Sequence, residues 1–503
     1  MLNRRTFLKS VSAAAALPAW GGARTPNLVF GILSDMHVTT PETCEHLEKA
    51  LVYFKAQGVD AVVFAGDMID DGLESELALV AETWYRVFPG DKGLDGCKVE
   101  KLFVYGNHDV QNYTKAWADE IKIPWEKVQR ECLSLGTRRK DVFERLFREA
   151  WQPLWMKTVK GYRFVGSNYQ YRNDRQRRVE RPGEPSLGDF FDAHRAELVG
   201  EKPFFFVQHM HPKGTCSAPW TWGQDDGTAT RVLEPFPNAV ALTGHSHTPL
   251  NDERTLWRGS FTSVGTAALR FLIPFGGREN SEIDGAEDTG EQLLPRLRPY
   301  DGKHGMVCRV YDNRITFERR DFMNGLSLGP DWVVPLPARA ESFAQRSLKA
   351  RPPEFPNGAS ISVSRGVAKS RKGVETPALF VAFPNVFAAD GRARAFDFEV
   401  CLEELDVDAV KVRRTKRVYS AGYYRAEAAD EKTVMCPFAL ADLPPPNGPL
   451  DPLRGRRWRF SVRPCDSFGK KGAVLTTDWQ SECPPMASLD VMAAEIKRAK
   501  AWM

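Results

Sequence analysis

Five short stretches of this 503-residue chain carry side chains able to hold metal or move protons. They are Asp35 and His37 in Ser34-Asp-Met-His, Asp67 after Gly66, Asn107-His108-Asp109 after Gly106, His209 after Gln208, and His245 with His247 in Gly244-His-Ser-His. Imidazole suits Zn, Fe and related divalent ions, and carboxylate and amide oxygens widen the set toward harder ions such as Mn. Residues one position apart on extended chain point the same way, so Asp35 with His37, and His245 with His247, can each address one site. Asp67 has two carboxylate oxygens and could bridge two ions. Five of the nine histidines lie in these stretches, with His211 close behind. Without a metal, so many histidines and acids on one rim would be a costly desolvated cluster. Taken singly each stretch is weak, since a strand-end histidine is more often structural and Asp109 also fits a cap or turn.

Each stretch follows an apolar run. Leu28–Leu33, Val59–Ala65 and Lys101–Tyr105 read as buried strands, as do Pro203–Gln208 and Ala239–Thr243. Helical spacing of Leu47, Ala50, Leu51 and Phe54 predicts a helix over Glu42–Gln57, stopped by Gly58, and a second is expected over Glu74–Phe88. Tyr162–Val165, Met306–Tyr311 and Arg314–Arg319 are further strands. Alternating elements argue for an α/β domain, in which ligands bind outside the carboxyl ends of the strands.

The ordered set D-x-H, G-D, G-N-H-D, H and G-H-x-H resembles the calcineurin-like metallophosphoesterase superfamily over roughly residues 28–320. The resemblance implies a four-layer α/β/β/α sandwich and two divalent metal ions, such as Mn, Fe or Zn. It assigns Asp35, His37 and His247 to one ion, Asn107, His209 and His245 to the other, and Asp67 to the bridge. It also implies hydrolysis of a small phosphate mono- or diester by in-line attack of a metal-bridging hydroxide. His108 would protonate the leaving oxygen, and Asp109 would orient the His108 ring. Purple acid phosphatases carry a tyrosine where this chain has Asp70, which argues against a ferric-tyrosinate site.

The N-terminus has Asn3-Arg4-Arg5-Thr6-Phe7-Leu8-Lys9, then a short apolar run from Val11 to Leu17, then small residues to Ala23. That three-part pattern is a signal peptide, and the paired arginines resemble a twin-arginine export signal. Residues 1–23 are therefore expected to be removed by bacterial twin-arginine export, placing the protein in the periplasm or outside the cell. Losing Arg4, Arg5 and Lys9 from the 69 basic residues leaves 66 against 65 acidic ones, a net charge of +1. Such a balance gives no support for nucleic acid as a partner. No stretch approaches the length of a transmembrane segment.

The phosphoesterase-like domain is expected over 24–340 and a connector over 341–357. Short strand-like runs separated by Pro/Gly turns then predict an all-β, fibronectin III-like sandwich over 358–485. A surface helix is expected at 486–503. A second function fits the same chain: an inactive phosphoesterase fold serving as a binding scaffold through its β-sandwich. A surface- or carbohydrate-binding role for that sandwich is a further expectation. Trp220, Trp222, Asp225 and Asp226 are expected to line a substrate cleft or a packed loop, and the run Arg172–Arg181 is read first as a solvated loop.

Overall fold

In the computed structural model, the described residues are 25–484 except 111–118, 120, 121, 123, 127–138, 170–184, 218–222, 275, 282–299, 301, 370–374, 387–394, 421–432, 441, 442, 444–452 and 454. The expected export signal and C-terminal helix, Trp220, Trp222 and the Arg172–Arg181 run lie outside the described residues.

Strands β1 (Leu28–Leu33), β2 (Ala61–Ala65) and β3 (Glu100–Val104) pair in parallel, with Phe30 beside Ala61 and Val63 beside Leu102. Parallel neighbours need crossover connections. Helices α1 (Cys44–Ala56) and α2 (Glu74–Val87) provide them. The α1 helix turns Leu47, Ala50, Leu51 and Phe54 inward, the residues whose spacing predicts it. Successive residues of β2 face opposite ways: Val62 and Phe64 meet the helices, and Ala61, Val63 and Ala65 face the interior of the domain.

After α3 (Arg139–Phe147) a second sheet forms. It contains β4 (Leu154–Val159), β5 (Tyr162–Ser167), β6 (Phe204–Val207), β7 (Ala239–Thr243), β8 (Leu256–Arg258) and β9 (Thr262–Gly265), in the order β4-β5-β6-β7-β9-β8. Helices α4 (Leu187–Ala193) and α5 (Thr228–Leu233) bury Phe191 and Leu233 on its outer face against Phe204, Phe206 and Ala241. The chain then rejoins the first sheet through β10 (His304–Val310), antiparallel to β1, and continues through β11 (Arg314–Asp321), β12 (Leu326–Ser327) and β13 (Trp332–Pro335). The two inner faces share one core, in which the Phe30 ring lies 5.2 Å from Phe164 and 4.8 Å from Phe205. The result is a four-layer α/β/β/α sandwich, with β1, β2, β3, β6 and β7 ending on one rim.

Helix α6 (Phe343–Lys349), capped by Ser342, forms within the expected connector. Among the described residues seven strands follow: β14 (Ser362–Lys369), β15 (Glu375–Pro384), β16 (Asp397–Asp406), β17 (Ala409–Tyr419), β18 (Thr433–Ala439), β19 (Arg457–Cys465) and β20 (Leu475–Thr476). They make two antiparallel sheets, β14-β15-β18 and β17-β16-β19-β20. Phe383, Phe398, Val400, Phe438, Trp458 and Phe460 fill the space between them. No helix among the described residues is long and apolar enough to cross a membrane.

Candidate metal centre

Backbone bonds tie the first loop to the second and the fifth to the fourth, and His108 N of the third donates to Asp67 Oδ1 at 2.8 Å. Asp35 N donates to Gly66 O at 3.0 Å, Met36 N to Asp67 O at 2.8 Å, and Gly244 N to His209 O at 2.8 Å. His245 N donates to the Asp35 carboxylate at 3.0 and 3.1 Å. Five of the seven expected ligands, namely Asp35, His37, Asp67, His245 and His247, have φ between 42° and 69°. Side-chain-bearing residues rarely adopt this left-handed conformation, and its clustering here marks a site whose surroundings over-determine it. Close approach explains the glycines. A Cβ on Gly66, whose own φ is 91°, would strike the His209 ring, and one on Gly244 would strike Ser34 Oγ and Asp35 Oδ2.

Among the described residues two adjoining buried clusters result, beside a more open group of His37, Asp70 and His108. Asp35, His37 and His247 form one, and Asp67, His209 and His245 the other, each buried and each with donor atoms within 4.8 Å of one another. In the first, His247 Nε2 is 3.0 Å from Asp35 Oδ1 and 3.3 Å from His37 Nε2. In the second, His209 Nε2 is 3.0 Å from Asp67 Oδ2 and 3.1 Å from His245 Nδ1. Asp67 Oδ2 also stands 3.9 Å from His37 Nε2, so this carboxylate faces both clusters. Asn107 is buried nearby, and its Oδ1 has no hydrogen-bond partner.

Outer hydrogen bonds set the tautomers. His209 Nδ1 donates to Ala65 O at 2.8 Å, and His247 Nδ1 to Phe271 O at 2.9 Å. His37 Nδ1 lies 2.8 Å from Asp70 Oδ1. A ring that donates through Nδ1 presents the Nε2 lone pair on its other side. At both His209–Asp67 and His247–Asp35 a lone pair then faces a carboxylate oxygen at 3.0 Å, a repulsive contact unless a cation stands between them. Protonation is one remedy. Burial opposes a charge on His209, but Asp67 and Asp35 outweigh it and push its pKa up to about 9. Burial likewise opposes ionisation of Asp35, yet His247 and His209 hold it at about 2. A divalent ion is the other remedy, and it alone would also use the orphaned Asn107 oxygen, since an amide oxygen can ligate a metal but takes no proton at ordinary pH. The residues present therefore fit a metal pair.

His108 stands on the open side, about a third exposed. Its Nδ1 is 2.7 Å from Asp70 O and 3.3 Å from Asp70 Oδ1. Burial works against its charge, but the Asp70 hydrogen bond and the Asp67 carboxylate push its pKa up to about 10. The acid beside the His108 ring is thus Asp70 rather than the expected Asp109. Asp109 points the other way, its Oδ1 accepting Ile69 N at 3.1 Å and its Oδ2 accepting Gly106 N at 2.7 Å. It knits the second loop to the third. Burial and the nearby Asp67 raise its pKa to about 7.

Two further positions went unassigned in the sequence. Asp70 carries a usable signal, an acid three residues past Asp67 in the same turn; Phe271 carries none. The Phe271 ring lies 4.2 Å from that of His247 and 5.4 Å from that of His37. His211 is buried, with Nδ1 2.6 Å from Thr243 Oγ1 and Nε2 2.7 Å from Ser246 Oγ, and burial lowers its pKa to about 4. It braces β7 and the loop that follows. Asp225 is a loop residue whose carboxylate accepts Lys213 N and Gly227 N at 2.9 and 2.8 Å.

Residues 28–249 match the family model of calcineurin-like phosphoesterases. No curated protein matches the chain. Among solved structures it is similar to a dimetal phosphatase from Danio rerio, at 12% identity and TM-score 0.37, over 62% of this chain and 99% of that one. It is also similar to GAP50, the anchor in the inner membrane complex of Plasmodium, at 12% identity and TM-score 0.31, over 62% and 90% of the two chains.

Proposed function

Residues 28–249 form a calcineurin-like phosphoesterase domain, and from that premise we propose that the protein is an exported dinuclear-metal hydrolase of small phosphate mono- or diesters. The observation that carries the reading is the pair of buried clusters joined by Asp67, with the unpartnered Asn107 oxygen beside them. Asp35, His37 and His247 would hold one ion, Asn107, His209 and His245 the other, and Asp67 both. When bound, two such ions supply Lewis acidity and an activated water for in-line displacement at phosphorus.

The chain's own groups do the rest. His108 is the proton donor to the leaving oxygen: it is the accessible imidazole of the site, and Asp70 keeps it in its charged form. Asp109 keeps the second and third loops in register. Nδ1 bonds to Ala65 O, Phe271 O and Asp70 Oδ1 keep the rings of His209, His247 and His37 turned inward. In this reading residues 1–23 direct twin-arginine export, residues 24–340 make up the catalytic domain, and 341–357 connect it to the β-sandwich over 358–485.

Elemental analysis of the purified chain, loaded with Mn, Fe or Zn and desalted, tests the reading. Two ions per chain are expected; one or none would contradict it.

A further inference from the structure

Residues 269–274 lie at the metal centre and residues 276–281 at the C-terminal β-sheets, and each piece is fastened where it lies. At the first end Leu269 N donates to Ser34 O and Arg270 N to Asp35 O, both at 3.0 Å, and Ile273 N to His247 O at 2.9 Å. Phe271 O accepts the His247 Nδ1 hydrogen bond, and its ring lies against His247. At the far end Arg278 donates through Nε and Nη2 to Asp397 Oδ2 at 3.0 and 2.8 Å. Asp397 is fully buried at the start of β16 and also accepts Arg417 Nη2 at 2.7 Å. Asn280 pairs with the backbone of Tyr419 on β17, accepting its N–H at 2.9 Å and donating to its carbonyl at 3.4 Å. Lys416 Nζ reaches Glu279 Oε2 at 3.1 Å. The segment lies beyond residue 249, where the family match ends.

We infer that the C-terminal β-domain is a working part of the metal centre: through this strap, Arg278 and Asn280 are positioning residues that set the ring orientation and tautomer of His247. The inference rests on reading His247 as a ligand. A segment held at one end only would keep much of its conformational freedom, at roughly 1–2 kcal/mol per residue to order it. Anchoring the far end removes that freedom before metal arrives. The Phe271 carbonyl is then fixed where His247 Nδ1 needs its acceptor. Partners of this kind typically matter 10- to 100-fold for metal affinity.

The experiment compares full-length wild type, Arg278→Ala, Arg278→Lys and Asn280→Ala by two readouts: zinc retention against a competing chelator, and side-chain ¹⁵N spectra of the histidines in metal-free protein. Arg278→Ala should weaken zinc retention about ten-fold and move His247 away from its Nδ1–H tautomer, Asn280→Ala should do both more mildly, and Arg278→Lys should recover part of the loss. A purely structural anchor would lower the melting temperature alone. Should Arg278→Ala fail to fold, Asn280→Ala decides. Folded variants with wild-type zinc retention and an unchanged His247 spectrum would overturn the inference. If wild type holds none of Zn, Mn or Fe, the ligand reading fails, while the metal-free spectra still show whether the strap holds His247.

Discussion

The His108 ring meets Asp70 twice, with Nδ1 2.7 Å from the Asp70 carbonyl oxygen and 3.3 Å from its Oδ1. The backbone contact survives truncation of the side chain, so Asp70→Ala should impair His108 without abolishing it. His108→Ala is expected to lose about 10²–10⁴-fold in kcat on alkyl phosphate esters, and Asp70→Ala about ten-fold. Both losses should shrink on nitrophenyl esters, whose leaving group needs little protonation. Because Asp70 also holds His37, the assay is run with metal in excess. Equal slowing of both ester types in either variant would remove the proton-donor role.

Asp67→Ala deletes the carboxylate that faces both clusters. Bound metal should fall well below two ions per chain, with activity falling in parallel. Asn107→Ala should empty one site in preference to the other, since the proposed ligand set gives its oxygen to the ion held by His209 and His245. Full occupancy of both sites in these variants, measured by elemental analysis, would show the ligand assignment to be wrong.

Glu76 provides a pH test away from the metals. Its carboxylate is 3% exposed and accepts Asp71 N at 3.0 Å and Leu73 N at 3.4 Å at the start of α2. Burial, reinforced by the charge of Asp71, raises its pKa from 4.5 to about 7 despite those bonds. Between these values the folded chain keeps a proton that the unfolded chain has lost, so stability falls as pH rises. The contribution is fully present below about pH 4.5 and gone above about pH 7. Glu76→Gln keeps an acceptor and cannot ionise. Its melting temperature should therefore rise relative to wild type across this window, and a pH-independent difference between the two would count against the burial argument.

Much of this was legible in the sequence because strand ends are local features. The apolar runs ending at Leu33, Ala65 and Tyr105, and those before His209 and Gly244, each formed a strand to within a residue or two, and the residues after them met at one rim. Orientation within a loop was not legible. Asp109 and His108 are neighbours, yet one turns to the backbone of two loops and the other to solvent, a choice made by packing between loops. Asp70 finds His108 only after those loops meet. Strands β8 and β9 and helix α6 were also missed, because short apolar pieces set among turn residues carry too little periodicity to stand out. Phe271 acts through its carbonyl and ring face, which no spacing rule marks.

Export depends on the N-terminal pair alone in this account. Replacing Arg4 and Arg5 with lysines should hold the protein in the bacterial cytoplasm, as read by fractionation and immunoblot. An unchanged periplasmic fraction would contradict the twin-arginine assignment.

The central claim is a metal-dependent attack on phosphate esters, and turnover measures it directly. Metal-loaded protein is assayed with nitrophenyl phosphate and bis(nitrophenyl) phosphate, then stripped with chelator and reloaded. Hydrolysis of at least one ester that disappears on stripping, returns on reloading and is absent in Asp67→Ala is the predicted result. No turnover of either ester by protein shown to hold both ions would contradict it.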